Sequence, residues 1–247
     1  MRPLPALLLV LALAPLLHAL ARRGRRARDG RRYRRLAAGQ WLRFGLPTVL
    51  ILGATGRWAT LWRLPAEFAP ARTLLGLDRF DAADRRALAW SCIGGVVLGG
   101  ALVLLLTAWR ARRGRPEGTL FGDARGLIPS HPRDYPWAAA VAATAGVTEE
   151  AYFRLLLPLL ATQACGSAAA GFAGATLLFG AAHRYQGWRG VLATTIAGAV
   201  MAFAYLLTAS LPLLMALHAF GDLVHLVAKP ALRRWVEGLR HQRTAPF

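Results

Sequence analysis

Apolar residues in this chain come in long runs separated by short, mostly basic interruptions. A helix needs about 20 apolar residues to cross a bilayer core. Seven runs approach that length: Leu4 to Ala21, Leu42 to Leu61, Leu88 to Trp109, Trp137 to Ala164, Ser167 to His183, Gly190 to Leu207 and Leu211 to Ala228. The pattern predicts an all-α fold, a polytopic transmembrane helical bundle of about seven spans. Three regions are expected: an N-terminal three-span region over 1–136 with Arg-rich loops, a helical core over 137–228, and a basic tail over 229–247.

The polar interruptions set an orientation. Residues Ala21 to Trp41 carry nine Arg and one Asp, which under the positive-inside rule predicts a cytoplasmic loop and an N-terminus outside. Alternation then places the Arg110 to Arg133 loop, the Arg184 to Arg189 turn and the tail with Lys229, Arg233, Arg234, Arg240 and Arg243 on the same side. All are basic, as the rule requires. The Trp62 to Ala87 loop falls outside, where Glu67, Asp78, Asp81 and Asp84 nearly offset its Arg residues. Arg2, the Leu-rich run and Ala19-Leu20-Ala21 also fit a secretory signal. Cleavage there would require nine Arg to be exported, which favours an uncleaved anchor.

Composition agrees with a membrane protein. The hydrophobic fraction is 55% in 247 residues, high for a soluble domain. The net charge of +19 comes almost entirely from Arg, with Lys229 the single Lys. Scarce Lys beside abundant Ala, Arg and Gly suits GC-rich bacterial coding, and the expected location is a bacterial inner (cell) membrane. The charge sits between apolar runs and no nucleic-acid-binding signature accompanies it, so no nucleic-acid partner is expected. Cys92 and Cys165 have no partners at metal-ligand spacing and form no disulfide framework. Gly94, Gly95, Gly99 and Gly100 recur at small-xxx-small spacing, which suits close helix contact within one bundle or between copies.

Ionisable residues at membrane depth are costly and mark functional sites. They occur here in Thr148-Glu149-Glu150-Ala151-Tyr152-Phe153-Arg154, in Phe179-Gly180-Ala181-Ala182-His183 and in His218-Ala219-Phe220-Gly221-Asp222. Residues four apart share a helix face, so Glu150 can pair with Arg154. Glu149, about 100° around the helix, is left to face a cavity as a general base. The plainer alternative is one ion-pair cluster that fixes helix packing. Phe179 is placed to brace the His183 ring, and Asp222 to orient His218 or bind water with it. His225 shares the His218 stripe but reads as peripheral, as do His18, His131 and His241. No H-E-x-x-H, no G-x-S-x-G and no pair of Glu-x-x-His motifs occurs, which leaves zincin, serine-hydrolase and di-iron chemistry unsupported.

Glu149-Glu150-x-x-x-Arg154, Phe179-x-x-x-His183 and His218-x-x-x-Asp222, in this order on successive apolar runs, resemble the CPBP family. These relatives of the CAAX prenyl protease are often called glutamic-type intramembrane proteases. The resemblance covers roughly Trp137 to Ala228. It implies a helical bundle with a polar cavity in which a peptide bond is hydrolysed. By that likeness Glu149 and His183 activate water, while His218 and residue 222 stabilise the oxyanion. The family's last motif ends in Asn in the best-known prenyl-processing members and in Asn or Asp among bacterial ones, so Asp222 departs from the eukaryotic pattern. An ionised Asp222 accepts hydrogen bonds but donates none, so it is assigned to orienting His218 or a water. No cofactor is expected; a catalytic zinc, if present, would take Glu149, His183 and His218 as ligands. The expected partners are the lipid bilayer and a membrane-anchored protein or peptide substrate, in line with the processing or sorting of C-terminal anchors among relatives. The alternatives are a non-catalytic membrane scaffold or immunity protein, and a proton-coupled transporter.

Overall fold

The computed structural model describes residues 2–21, 32–116 and 125–244. Much of the Arg-rich loop after the first run, part of the loop before Arg125 and the last three residues lie outside them. Every regular element among the described residues is helical. The chain runs through α1 (Pro3–Ala21), α2 (Arg32–Gln40) continuing by a π-helical turn into α3 (Leu46–Ala54), a loop holding the short α4 (Ala69–Leu74), and α5 (Ala82–Arg112). It goes on as α6 (Tyr135–Glu150), joined by a second π segment to α7 (Leu157–Cys165). Then come α8 (Ala168–Ala182), α9 (Trp188–Thr208) and α10 (Leu211–Leu223), the last joined by a third π segment to α11 (Lys229–Thr244).

Among the described residues, five helices are long and apolar enough to cross a membrane: Pro3–Ala21, Arg32–Ala54, Ala82–Arg112, Trp188–Thr208 and Leu211–Arg240. The chain is a multi-pass membrane protein. Two of the seven expected runs fall short for different physical reasons. The run from α6 into α7 carries Glu149, Glu150 and Arg154 near its middle. Helix α8 has only 15 residues, about 22 Å of rise against a core of about 30 Å.

Helix boundaries also differ from those that hydropathy suggests. The second helix begins at Arg32, ten residues before Leu42, and ends at Ala54 rather than Leu61. Its polar first turns are helical because they pack on α6, with Tyr33 buried. Its end is set by Gly56, at φ 66°, a left-handed turn that glycine makes without steric cost. Helix α5 starts at Ala82, before Leu88, because Asp81 accepts from the backbone N–H groups of Ala83 and Asp84 while Asp84 returns the bond. This reciprocal cap satisfies donors that a helix N-terminus otherwise leaves free. The basic tail is helix α11, packed along α5.

Buried aromatic side chains join the helices at the centre. Phe44 contacts Tyr152 and Phe153 at 5.1 and 5.2 Å, and Phe153 contacts Phe179 at 5.2 Å. Tyr152 donates its hydroxyl to the Ala12 carbonyl at 2.8 Å, tying α1 to the segment that follows α6. Gly146 lets α10 approach α6: a Cβ there would lie 2.6 Å from the Met215 carbonyl oxygen and 2.8 Å from Ala219. The α5 glycines behave differently. Gly100 packs against Phe220 and Val224, whereas Gly94, Gly95 and Gly99 face nothing within 4 Å.

The two ends of the bundle differ in chemistry. Tyr33 donates to the Leu127 carbonyl at 3.0 Å, Arg32 to Ile128 at 2.8 Å and Arg233 to Arg115 at 3.2 Å, while Arg184 bonds Leu20 and Arg234 bonds Pro129. These contacts gather the basic connectors at one end. At the other end Arg57 pairs with Glu67 at 2.6 Å.

Candidate active site

The three charged motifs meet between α6, α8 and α10. Glu150, fully buried, accepts from Nδ1 of His218 at 2.7 Å. Its other oxygen lies 3.2 Å from Arg154 Nε, close enough for charge pairing but not aligned as a hydrogen bond. Glu150 thus bridges His218 and Arg154, a wider role than the local i,i+4 pairing that spacing suggests. Arg154 is 1% exposed, its guanidinium 4.5 Å above the Phe179 ring. A desolvated cation over an aromatic face gains about 2 kcal/mol, which helps hold a charge whose nitrogens make no aligned hydrogen bond among the described residues.

Phe179 is the hub of the cluster. Its ring lies 4.7 Å from His183 and 6.3 Å from His218. Its carbonyl accepts from His183 Nδ1 at 2.9 Å. That bond fixes the proton on Nδ1 and leaves Nε2 of a neutral His183 as an acceptor. Asp222 stands 3.8 Å from His218 Nε2, beyond hydrogen-bond range, so Glu150 rather than Asp222 makes the short contact to the His218 ring.

Glu149 differs from its neighbour. It is 7% exposed, receives one long hydrogen bond from Gln40 Nε2 at 3.4 Å, and has no hydrogen-bond partner on Oε2 among the described residues. It lies within electrostatic reach of His218, Asp222 and Tyr185, and Asp222 within reach of His183 and Glu150 as well. Tyr185 is added by the turn after α8, its ring 5.8 Å from His183. His225 is exposed.

All three π segments border this cluster: Trp41–Gly45 follows Gln40, Ala151–Leu156 follows Glu150, and Val224–Ala228 begins two residues after Asp222. Single wide turns of this kind concentrate at functional sites. Sequence reading missed Gln40, because it precedes the apolar run that defines the second span, and Tyr185, because nothing in a polar turn marks it.

An apolar cleft of about 240 Å³ is lined by Trp41, Thr48, Trp58, Val147, Thr148 and Ala151 among others, on the face of α6 turned away from Glu149. A larger cavity of about 740 Å³ lies at the far end, among Arg2, Arg57, Glu67 and Gln163. Neither lining includes Glu149, His183, His218 or Asp222. No group of three His, Cys, Asp or Glu among the described residues is arranged to hold a metal ion. Glu149, His183 and His218 are not gathered as such a group.

Residues 131–224 match the family profile described as type II CAAX prenyl endopeptidase Rce1-like. The match contains all three charged motifs and leaves out α1 to α5 and α11. No curated protein and no solved structure matches the chain.

Proposed function

We propose that the chain is an intramembrane endopeptidase in which Glu149 activates a water for attack on a peptide bond. The carrying observation is the contrast within one buried pair. Glu150 is tied to both His218 and Arg154, while Glu149 keeps an oxygen without a hydrogen-bond partner among the described residues. A general base needs such an open lone pair within reach of the proton it takes.

In this reading the Glu149 carboxylate removes a proton from water, and His183 Nε2 accepts the second O–H bond and orients the attack. The developing oxyanion needs a donor. His218 supplies it from Nε2–H when both ring nitrogens carry protons, with Glu150 on Nδ1 and Asp222 nearby balancing the charge. The proton held by Glu149 then passes to the leaving amine. The apolar helices around the carboxylates suit an apolar segment of a membrane-anchored protein or peptide. Processing of C-terminal anchors fits such a substrate.

The same reading keeps seven spans, with the α6–α7 run and α8 completing the bundle. The basic end is cytoplasmic and the N-terminus outside, so His183, next to Arg184, opens toward the cytoplasm. The host is a bacterial inner membrane.

Comparing protein termini in membranes from cells carrying the native gene, no gene or Glu149→Gln tests this proposal. Termini present only with the native gene are expected. If Glu149→Gln yields the same termini as the native chain, the assignment of the base is wrong.

A further inference from the structure

We infer that Gln40 is a positioning residue for Glu149, supplied by a helix outside the family-matched segment. The inference rests on the reading of Glu149 as the base. Gln40 closes α2, and its Nε2 donates to Glu149 Oε1 at 3.4 Å across the contact between α2 and α6. No other hydrogen bond to the Glu149 carboxylate occurs among the described residues, and its Oε2 and Gln40 Oε1 are both buried without one. A carboxylate held by one neutral donor keeps its second oxygen for substrate water. An Arg in place of Gln40 would instead occupy both oxygens as a bidentate partner.

The setting supports a role specific to Gln40. Charged neighbours already have other engagements: Arg43, on the next turn, donates to the Gly39 carbonyl at 2.8 Å, and Arg154 pairs with Glu150. His218 binds Glu150. The π turn Trp41–Gly45 begins at the residue after Gln40 and buries Phe44 against Tyr152 and Phe153, on the segment that follows Glu149. The same packing that seats α2 against α6 therefore fixes the amide opposite the carboxylate. The 3.4 Å separation is long, and catalytic hydrogen bonds in ligand-free sites commonly shorten when substrate binds.

Infrared spectroscopy of the full chain in lipid nanodiscs, with ¹³C-carboxyl glutamate, tests this without a substrate. The native spectrum minus that of Glu149→Gln isolates the Glu149 carboxyl band. Gln40→Met, similar in length but without a donor, is expected to move that band, and so is the shorter Gln40→Asn. Gln163→Met, at the far end, should leave it in place. An unmoved band in folded Gln40→Met or Gln40→Asn overturns the inference, whatever the proteolysis result. On a substrate that the native chain cleaves, Gln40→Met should lower kcat by roughly ten- to a hundredfold, the effect of losing one hydrogen bond to a charged group, with KM unchanged. A rise in KM alone would also overturn the positioning role. Loss of cleavage in Glu149→Gln tests the function separately.

Discussion

Two Glu–Gln contacts between helical segments, at opposite ends of the bundle, solve different problems. At the far end Glu67 takes Arg57 at 2.6 Å and Gln163 at 2.9 Å, joining the loop after α3 to α7. That carboxylate has a cation and an amide and nothing left to do but hold. Within the site Glu149 has, among the described residues, a single amide at 3.4 Å and no cation in contact. The second arrangement is the poorer one for stability, since a buried polar atom without a partner costs about 1–3 kcal/mol. Such a cost is tolerable where the open oxygen is used in chemistry.

The sharpest break of this comparison lies inside the site. Glu149→Gln should lower turnover by about 10²–10⁴-fold, the usual contribution of a general base, with thermal stability equal to or above native because a poorly paired buried charge is removed. Glu150→Gln should do the reverse in stability. It leaves Arg154 without its counter-charge, and breaking a buried pair costs about 3–5 kcal/mol. Thermal unfolding in nanodiscs beside turnover distinguishes them; two variants that melt alike would dissolve the distinction between the carboxylates.

Gly146→Ala comes next. Its Cβ would press on the Met215 carbonyl oxygen, a backbone atom that cannot swing aside, so α10 must move away from α6. Overpacking costs about 1–3 kcal/mol, and the displacement carries His218 from Glu150, lowering turnover as well. Gly99→Ala, with nothing in reach, is the control and should change neither. Equal effects of the two substitutions would contradict the close approach at Gly146.

The charged motifs were legible in the sequence because Glu149, Glu150, Arg154, His183, His218 and Asp222 interrupt apolar runs, where the cost of insertion makes each one conspicuous. Helical spacing also gave the local pair Glu150–Arg154. It could not give Glu150–His218, the shortest contact in the cluster, since that depends on how closely α6 and α10 approach at Gly146. Gln40 was hidden for another reason. Hydropathy starts the second span at Leu42, whereas the helix extends back to Arg32 through residues whose helicity comes from packing on α6. The π segments escape as well, because a single wide turn leaves the apolar pattern nearly unchanged.

The smallest expected effect sharpens the far side of the comparison. Burial alone would raise the Glu67 carboxyl, but hydrogen bonds from Arg57 and Gln163 outweigh it and hold the group at about 2, below its ordinary value of 4.5. The folded state therefore binds the proton less readily than the unfolded chain. Stability from this junction is fully present above about pH 4.5 and is lost as pH falls toward about 2. Melting temperature measured from pH 6 to 2 should drop less steeply in Glu67→Gln than in the native chain, with turnover at neutral pH unchanged because the junction is remote from Glu149. If both chains show the same acid slope, the Arg57–Glu67–Gln163 contact is not the load this end of the bundle rests on, and the contrast between a saturated and an open carboxylate loses its structural half.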